Sequence, residues 1–313
     1  MDKLKNNKSL LLMPLPYQVI ELPQLRKKYI RLTVKRLDLI HPEIQGNKWF
    51  KLKYNIEKAV QQGHKRILTF GGAFSNHIHA TALAARQAGL DAVGVIRGEE
   101  TLPLNPTLAD AEAAGMVLHY ISRSAYREKH AYKMTIYLKE TFGDFYLIPE
   151  GGTNELAISG TKEILEGGDF DFDFVCTSVG TGGTLAGLLA AAHPAQHVLG
   201  FSSLKGAFID REIQHLLEQF SIRPVCAYEL IKDYHFGGYG KVTAELINFI
   251  HHFYSDTGIP LDPIYTGKMM FGMMQMADGN KIPAGSRILA LHTGGLQGIR
   301  GFNMRHGANL ADH

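Results

Sequence analysis

A lysine at the start of a helical stretch and two glycine-rich turns are the residues of this sequence whose types could do chemistry together. Lys48 stands in Gly46-Asn47-Lys48, directly before a stretch with helical spacing. Glycine-rich turns follow at residues 71–77 and 180–184. A lysine amine can form an imine with an aldehyde. The main-chain N–H groups of a glycine-rich turn can hold a phosphate.

Pyridoxal phosphate (PLP) carries both an aldehyde and a phosphate, so it is the cofactor that this combination predicts. Each part alone has a simpler explanation, because such a turn can connect a strand to a helix without a ligand and helix-start lysines are usually solvated. A dinucleotide is disfavoured because residues 180–185 break the G-x-G-x-x-G spacing, and no lysine of a nucleotide-triphosphate loop follows these glycines. Lys51, almost one turn after Lys48, can face the same way and reach the phosphate.

Ser75, Asn76 and His77 lie where the first glycine-rich turn passes into an alanine-rich helix. Ser75 can simply cap that helix. Alternatively, the helix N-terminus binds a substrate carboxylate with help from Ser75 and Asn76. His77 and His79 point to different faces of a helix and lack a third ligand at motif spacing, so no metal site is predicted. Cys176 is interpreted as buried strand filler.

The composition is that of a globular protein with two domains. The chain has 313 residues, of which 45% are hydrophobic and 20% charged, and it is too long for one ordinary core. A net charge of +3 and the lack of a basic run interleaved with aromatics argue against nucleic acid as a partner. The apolar stretch at residues 9–13 is too short for a signal peptide, and no stretch predicts a membrane span. With two cysteines, a cytoplasmic location is expected.

The elements that must position these residues follow the strand–helix alternation of a doubly wound α/β protein. We predict two open, mostly parallel domains: a small one over residues 50–157, and a large PLP-binding one over residues 1–49 plus 158–313. A strand over 29–36 joins the large sheet, and one helix covers about 126–142. Further strands are predicted at residues 66–70, 92–97, 117–120, 146–149, 174–179, 197–201 and 288–292.

The glycine turns predict where the active site lies. In open parallel sheets, ligands bind beyond the carboxyl ends of the strands. Four glycine turns directly follow predicted strands, at residues 71–72, 151–152, 180–183 and 294–295. We therefore expect all four turns to open on one cleft between the two domains.

Several motifs resemble one known family, in the same order and over nearly the whole chain. They are GNKWFKL from Gly46, GAFSNH from Gly72, PEGG from Pro149, GTGGTLAG from Gly180, LDPIYTGK from Leu261 and HTGG from His292. These motifs are similar to those of the 1-aminocyclopropane-1-carboxylate (ACC) deaminase / D-cysteine desulfhydrase family, within the tryptophan-synthase-β-like, fold type II PLP enzymes. The resemblance implies a homodimeric PLP-dependent lyase that acts on a small amino acid.

The resemblance also implies roles for individual residues. Lys48 would carry the imine to PLP. The phosphate would be held by Lys51, Asn76, Gly180, Thr181, Gly182, Gly183 and Thr184. Ser75 would contact the substrate carboxylate or assist proton transfer, and Asn76, His77 and Thr293 would be further substrate contacts. Tyr239 and Tyr265 would face the substrate, although core packing is the simpler explanation of two tyrosines.

Two positions separate the activities of this family. Its ACC deaminases have glutamate after the second tyrosine and leucine in the later His-x-Gly-Gly, whereas this chain has Thr266 and Thr293, the pattern of the D-cysteine desulfhydrases. A carboxylate near the pyridine nitrogen makes PLP a strong electron sink, which opening a cyclopropane requires. A hydroxyl at Thr266 gives a weaker sink, adequate when a good leaving group stands at Cβ.

We therefore expect a D-cysteine desulfhydrase, which releases pyruvate, ammonia and hydrogen sulfide. ACC deaminase and a non-catalytic α/β protein that binds a phosphorylated metabolite are the alternatives.

Two departures from the family lie near the expected pocket. Gln45 replaces a glycine, and residues 298–302 replace an alanine-rich segment that ends in tyrosine.

Overall fold

The computed structural model describes residues 14–312, whose strands form two sheets. Residues 1–13, which belong to the predicted large domain and include the apolar stretch 9–13, lie outside the described residues, as does residue 313. The strands are β1 (Tyr17–Ile20), β2 (Arg31–Lys35), β3 (Arg66–Gly72), β4 (Asp91–Arg97), β5 (Met116–Ile121), β6 (Tyr146–Ile148), β7 (Phe174–Val179), β8 (His197–Ser202), β9 (Ala227–Ile231) and β10 (Arg287–Leu291).

The helices alternate with these strands along the chain. They are α1 (Pro23–Arg26), α2 (Asn47–Gln61), α3 (Asn76–Ala88), α4 (Pro106–Ala113), α5 (Arg123–Arg127), α6 (Tyr132–Phe142), α7 (Glu155–Lys162), α8 (Gly183–Ala191), α9 (Phe208–Gln219), α10 (Ala244–Thr257), α11 (Thr266–Asp278) and α12 (Gln297–His306). Short 3₁₀ turns occupy Leu37–Leu39, Glu150–Gly152 and Gly167–Asp171.

Both sheets are open and almost entirely parallel. The larger sheet has the strand order β1-β2-β10-β7-β8-β9, and only the edge pair β1–β2 is antiparallel. The smaller sheet has the order β5-β4-β3-β6, with every neighbouring pair parallel. The predicted α/β class with two doubly wound units is therefore confirmed. The exact domain boundaries stay a prediction.

Each sheet carries hydrophobic cores on both faces because its strands alternate buried apolar side chains between them. In β10, Ile288 and Ala290 face the core formed with α10, α11 and α12, whereas Leu289 and Leu291 face the core formed with α8 and α9. The smaller sheet follows the same rule: Ile67 faces the core of α3 and α4, and its neighbour Leu68 faces the core of α6. Burying one such side chain stabilises the fold by about 1.5–3 kcal/mol.

Most predicted strands are confirmed, whereas one predicted helix is wrong. The predicted strand at 29–36 is β2, which pairs with β10 of the larger sheet. The predicted helix 126–142 is broken into α5 and α6, because Ala131 adopts an extended conformation (φ −72°, ψ 143°). The apolar spacing continues across this break, since Tyr126 and Met134 pack into the same core. The edge strands β1 and β9 were not predicted, because they expose side chains on both faces.

The carboxyl ends of the central strands carry the turns that form the cleft. The turn after β6 lies against the turn after β7, since a Cβ at Gly151 would come 2.6 Å from Thr181 Cγ2. The turn after β10 lies against the start of α2, since a Cβ at Gly46 would come 1.9 Å from the Thr293 carbonyl oxygen. The strand-end turns of the two sheets therefore meet around the N-terminus of α2.

Candidate active site

Lys48 lies in the first turn of α2, between the two sheets. Gly46 precedes the helix with φ +65° and ψ −147°, a conformation that favours glycine, and the Asn47 N–H donates to the Thr293 carbonyl (3.2 Å). The Lys48 amine donates to Asn47 Oδ1 (3.1 Å). Burial lowers the pKa of Lys48 to about 8, and the carboxylate of Asp262 opposes this shift. The structure therefore provides an amine that loses its proton more easily than an ordinary lysine.

The turn after β7 forms a cup at the N-terminus of α8. Gly182 adopts a left-handed conformation (φ +82°), and α8 begins at Gly183. A Cβ at Gly183 would come 2.8 Å from Thr153 Oγ1 and 3.0 Å from the Lys51 amine, so glycine leaves open the space beside both groups. Asn47 Nδ2 donates to Thr184 Oγ1 (2.8 Å) and thereby joins this cup to the residue that precedes Lys48.

Lys51 points its amine into this cup. The amine donates to the Gly151 carbonyl (2.9 Å) and lies 3.2 Å from Thr153 Oγ1 and 3.4 Å from Thr181 Oγ1. No carboxylate within residues 14–312 pairs with it. Burial and the nearby Lys48 amine hold the pKa of Lys51 well below its usual value. An anion in the cup would favour the charged form of Lys51.

Ser75 is the N-cap of α3, and Asn76 and His77 are its first two residues. Ser75 Oγ accepts hydrogen bonds from the main-chain N–H groups of His77 (3.2 Å) and Ile78 (3.3 Å), so it caps the helix. Asn76 Oδ1 accepts from Gln297 Nε2 (2.5 Å). Asn76 and Lys48 line one small cavity together with Thr293.

His77 turns its ring away from that cavity. The ring is buried and its Nε2 lies 2.8 Å from Thr69 Oγ1. Since the Thr69 hydroxyl donates to the Ile148 carbonyl, it accepts from His77 Nε2. Burial holds the pKa of His77 well below its usual value, so the ring is neutral. The predicted contact of His77 with a substrate stays a prediction.

Tyr239 and Tyr265 lie together at the cleft, outside the hydrophobic cores. Their ring centroids are 6.0 Å apart, and Tyr239 is 44% exposed. The ring of Tyr265 covers Gly180, where a Cβ would come 3.1 Å from Tyr265 Cε1. Burial, and then Tyr239, raise the pKa of Tyr265 well above 10, so this phenol keeps its proton at neutral pH.

Thr266 and Thr293 are both buried and hydrogen-bonded. The Thr266 hydroxyl donates to Asp262 Oδ2 (2.7 Å), and Thr293 Oγ1 lies 3.0 Å from Ser178 Oγ. Asp262 also accepts from the main-chain N–H groups of Ile264, Tyr265 and Thr266 at the start of α11. The carboxylate of Asp262 is therefore already occupied by hydrogen bonds from the residues at the start of α11.

Sequence reasoning missed several residues that the structure brings to the site. They are Asn47, Thr153, Asp262, Lys268 and Gln297. Asn47, Asp262 and Lys268 stand inside the quoted motifs, so their positions near Lys48 or Tyr265 were the available signal. Thr153 and Gln297 carried no such signal, because their contacts lie far away along the chain.

The residues present fit PLP. A Cβ at Gly183 would fill part of the cup, the Lys51 amine lacks a carboxylate partner within the described chain, and burial lowers the pKa of Lys48 to about 8. These are the groups that a phosphate and an aldehyde require. The fold and the site thus define a PLP-dependent enzyme.

Comparisons with known proteins agree with this class. The model of the family described as "Pyridoxal-phosphate dependent enzyme" matches residues 11–294. A protein of Pyrococcus horikoshii with the provisional name 1-aminocyclopropane-1-carboxylate deaminase is 34% identical over 277 residues, which cover 85% of this chain and 84% of that protein. The mitochondrial bifunctional D-cysteine desulfhydrase/ACC deaminase of Arabidopsis thaliana is 31% identical over 93% of this chain and 78% of its own length.

A solved structure shows the same likeness. The crystal structure of an ACC deaminase homologue superimposes with a TM-score of 0.78, at 29% identity, and covers 97% of this chain and 98% of that chain. The chain belongs to the pyridoxal-phosphate dependent enzyme family and, within it, to the ACC deaminase / D-cysteine desulfhydrase group. The predicted family and cofactor are therefore confirmed.

Two features are absent from the described part of the chain. None of its helices combines the length and the apolar character needed to cross a membrane. Residues 14–312 also contain no cluster of three or more His, Cys, Asp or Glu side chains arranged to hold a metal ion.

Proposed function

We propose that this PLP-dependent lyase converts D-cysteine and water into pyruvate, ammonia and hydrogen sulfide. The observation that carries the choice of substrate is the pair of neutral hydroxyls at Thr266 and Thr293, since a carboxylate at the first of these positions would favour ring opening. The one buried carboxylate close to Thr266, that of Asp262, already accepts four hydrogen bonds. It is therefore poorly available as a partner for a pyridine nitrogen.

Lys48 and the phosphate cup carry the cofactor in this proposal. Lys48 would hold PLP covalently, and Lys51 with the turn from Gly180 to Thr184 would hold its phosphate. When bound, PLP supplies an electron sink that stabilises negative charge on the Cα atom of an amino acid. Because its pKa is about 8, a substantial fraction of Lys48 is neutral at physiological pH, as covalent attachment requires.

The remaining steps are assigned to groups of this chain. The N-terminus of α3, with Ser75 and Asn76, would bind the substrate carboxylate through N–H groups and side-chain amides. Lys48, once displaced by the substrate amine, would take the Cα proton as a base. Tyr265 is less suited to that step, since its raised pKa keeps the phenol protonated. It would instead donate a hydrogen bond, or a proton, to the departing sulfur.

ACC deamination is the second candidate. The names of the Pyrococcus horikoshii relative and of the similar crystal structure both point to it. Ring opening of ACC gives α-ketobutyrate and ammonia, so the two activities are distinguished by their products. A homodimer is proposed from the resemblance alone, and light scattering of the purified protein tests it. A cytoplasmic location is proposed from the low cysteine content.

Product analysis of the purified protein tests this proposal. We expect visible absorbance of the lysine-linked cofactor, and pyruvate with hydrogen sulfide from D-cysteine at a rate well above α-ketobutyrate release from ACC. Colourless protein that stays colourless with added PLP would instead favour a non-catalytic binder. Equal or faster release from ACC would favour the deaminase.

The double variant Thr266→Glu/Thr293→Leu sharpens this test. It introduces the residues that the family's ACC deaminases carry at these positions. We expect D-cysteine turnover to fall and the ratio of ACC to D-cysteine turnover to rise. Thr257→Glu, a threonine at the far end of α10, is a matched control that should leave the ratio unchanged.

A further inference from the structure

Gln45 carries a buried hydrogen-bond acceptor without a partner, directly beside the site. Its Oε1 is completely buried and makes no hydrogen bond within residues 14–312. Leaving a buried acceptor unpaired is unfavourable, so such an atom marks a place where a donor from outside the chain can bind.

The backbone holds Gln45 in this place. The next residue, Gly46, lies so close to the Thr293 carbonyl that a Cβ would come within 1.9 Å of it. The N–H of Asn47 donates to the same carbonyl. The segment that carries Gln45 is therefore fixed between the end of β10 and the start of α2, and its side chain cannot easily withdraw from the site.

Gln45 lines a cavity of about 10 Å³, together with Lys48, Asn76, Thr293 and Gln297 among others. A space of this volume holds one group of the size of a water molecule. Gln297 closes the opposite wall and is held there, because its Nε2 donates to Asn76 Oδ1 (2.5 Å). The cavity is thus small, polar and next to the amine of Lys48.

We infer that this cavity is a subsite for one O–H, N–H or S–H donor on the side chain of the substrate, with Gln45 Oε1 as its acceptor. The inference rests on the proposed PLP chemistry at Lys48 and narrows the substrate class. Among small amino acids, a hydroxyl or a thiol on Cβ can donate to this acceptor, and the thiol of the proposed D-cysteine is the weaker donor of the two. A methyl group of the same size fills the space but leaves Gln45 unpaired.

Binding of an isosteric ligand pair tests the subsite. Serine and 2-aminobutyrate differ by a hydroxyl against a methyl group on Cβ, and both enantiomers of each are used. Binding is followed by the immediate change in the absorbance of the cofactor-loaded protein. For the enantiomer that the wild type binds, we expect serine to bind about 3- to 10-fold more tightly than 2-aminobutyrate, as for one neutral hydrogen bond.

Gln45→Met keeps the length of the side chain and removes the acceptor. We expect it to abolish the preference for serine while leaving the affinity for 2-aminobutyrate within about 2-fold. Gln45→Gly restores the glycine usual in the family and should abolish the preference equally, should the methionine variant fail to fold. Gln62→Met, on the far end of α2, is the matched control and should keep the preference.

A serine preference that survives both Gln45 variants would overturn the inference. So would a wild type that binds both ligands equally, which is the result expected when a resident water pairs with Gln45. The failure of the proposed function looks different: the wild type would then lack the absorbance of a lysine-linked cofactor, or would release no keto acid from D-cysteine.

Discussion

Replacement of Lys51 by methionine tests the phosphate cup. The substitution keeps the length and most of the volume of the side chain but removes the ammonium group. That group contacts the Gly151 carbonyl and faces the Thr153 and Thr181 hydroxyls. We expect the variant to bind PLP more weakly without losing its fold.

The magnitude follows from the contacts of the ammonium group. A hydrogen bond to a charged group contributes about 1.5–3 kcal/mol. Losing one such bond to the phosphate therefore weakens PLP binding roughly 10- to 150-fold. Two effects on the stability of the cofactor-free protein oppose each other. Removing a desolvated ammonium is favourable, while leaving the Gly151 carbonyl unpaired is unfavourable, so the free energy of unfolding should change by less than about 1 kcal/mol.

Absorbance titration of the cofactor-free protein with PLP measures the affinity, and urea denaturation measures the stability. Lys53→Met is the matched control. Lys53 lies two residues further along α2, where it pairs with Glu163 away from the cup. It should leave the PLP affinity unchanged. The account of the cup fails if Lys51→Met binds PLP like the wild type, or if Lys53→Met weakens binding as much.

Three further outcomes are expected. Lys268 is buried and its amine donates to the His235 and Gly238 carbonyls (both 2.9 Å), so Lys268→Met should release the loop that carries Tyr239. We expect a roughly 10- to 100-fold lower kcat/KM with the cofactor still bound, and little effect of Lys281→Met. Because attachment of PLP needs the neutral Lys48 amine, its rate should rise with pH and level off above about 8. A rate that still climbs several-fold between pH 9 and pH 10, as for an ordinary lysine, would contradict this when measured by stopped-flow absorbance. Leu289→Ala should lower the free energy of unfolding by about 2–5 kcal/mol in urea denaturation, whereas Val225→Ala, which is exposed, should have a negligible effect.

Local sequence patterns were sufficient to predict the parallel strands and the glycine turns. Buried parallel strands consist of short apolar runs such as β7 and β10, and glycines at their carboxyl ends mark the cleft. The edge strands β1 and β9 were not predicted, because a strand at an exposed edge needs no run of apolar residues. The break between α5 and α6 was not predicted, because Tyr126 and Met134 keep helical spacing across it.

Contacts between distant segments explain what the sequence could not predict of the site. Gln297 and Asn76 are 221 residues apart, and Asn47 and Thr184 are 137 apart. No local pattern encodes which of these side chains meet. The two tyrosines illustrate the same point: sequence alone favoured core packing, whereas Tyr239 is exposed at the cleft. Ser75 was interpreted either as a helix cap or as a contact of the substrate carboxylate. It does cap α3, and it stands at the helix N-terminus where a carboxylate would bind.

The attachment point of the cofactor is the most direct test of the account. The cofactor-loaded protein is reduced with borohydride, digested, and its peptides are analysed by mass spectrometry. We expect one modified residue, Lys48, with Lys51 and Lys53 unmodified. Attachment to either of these two lysines would contradict the claim that Lys48 carries the cofactor. A cofactor that still separates from the protein after reduction would contradict it as well.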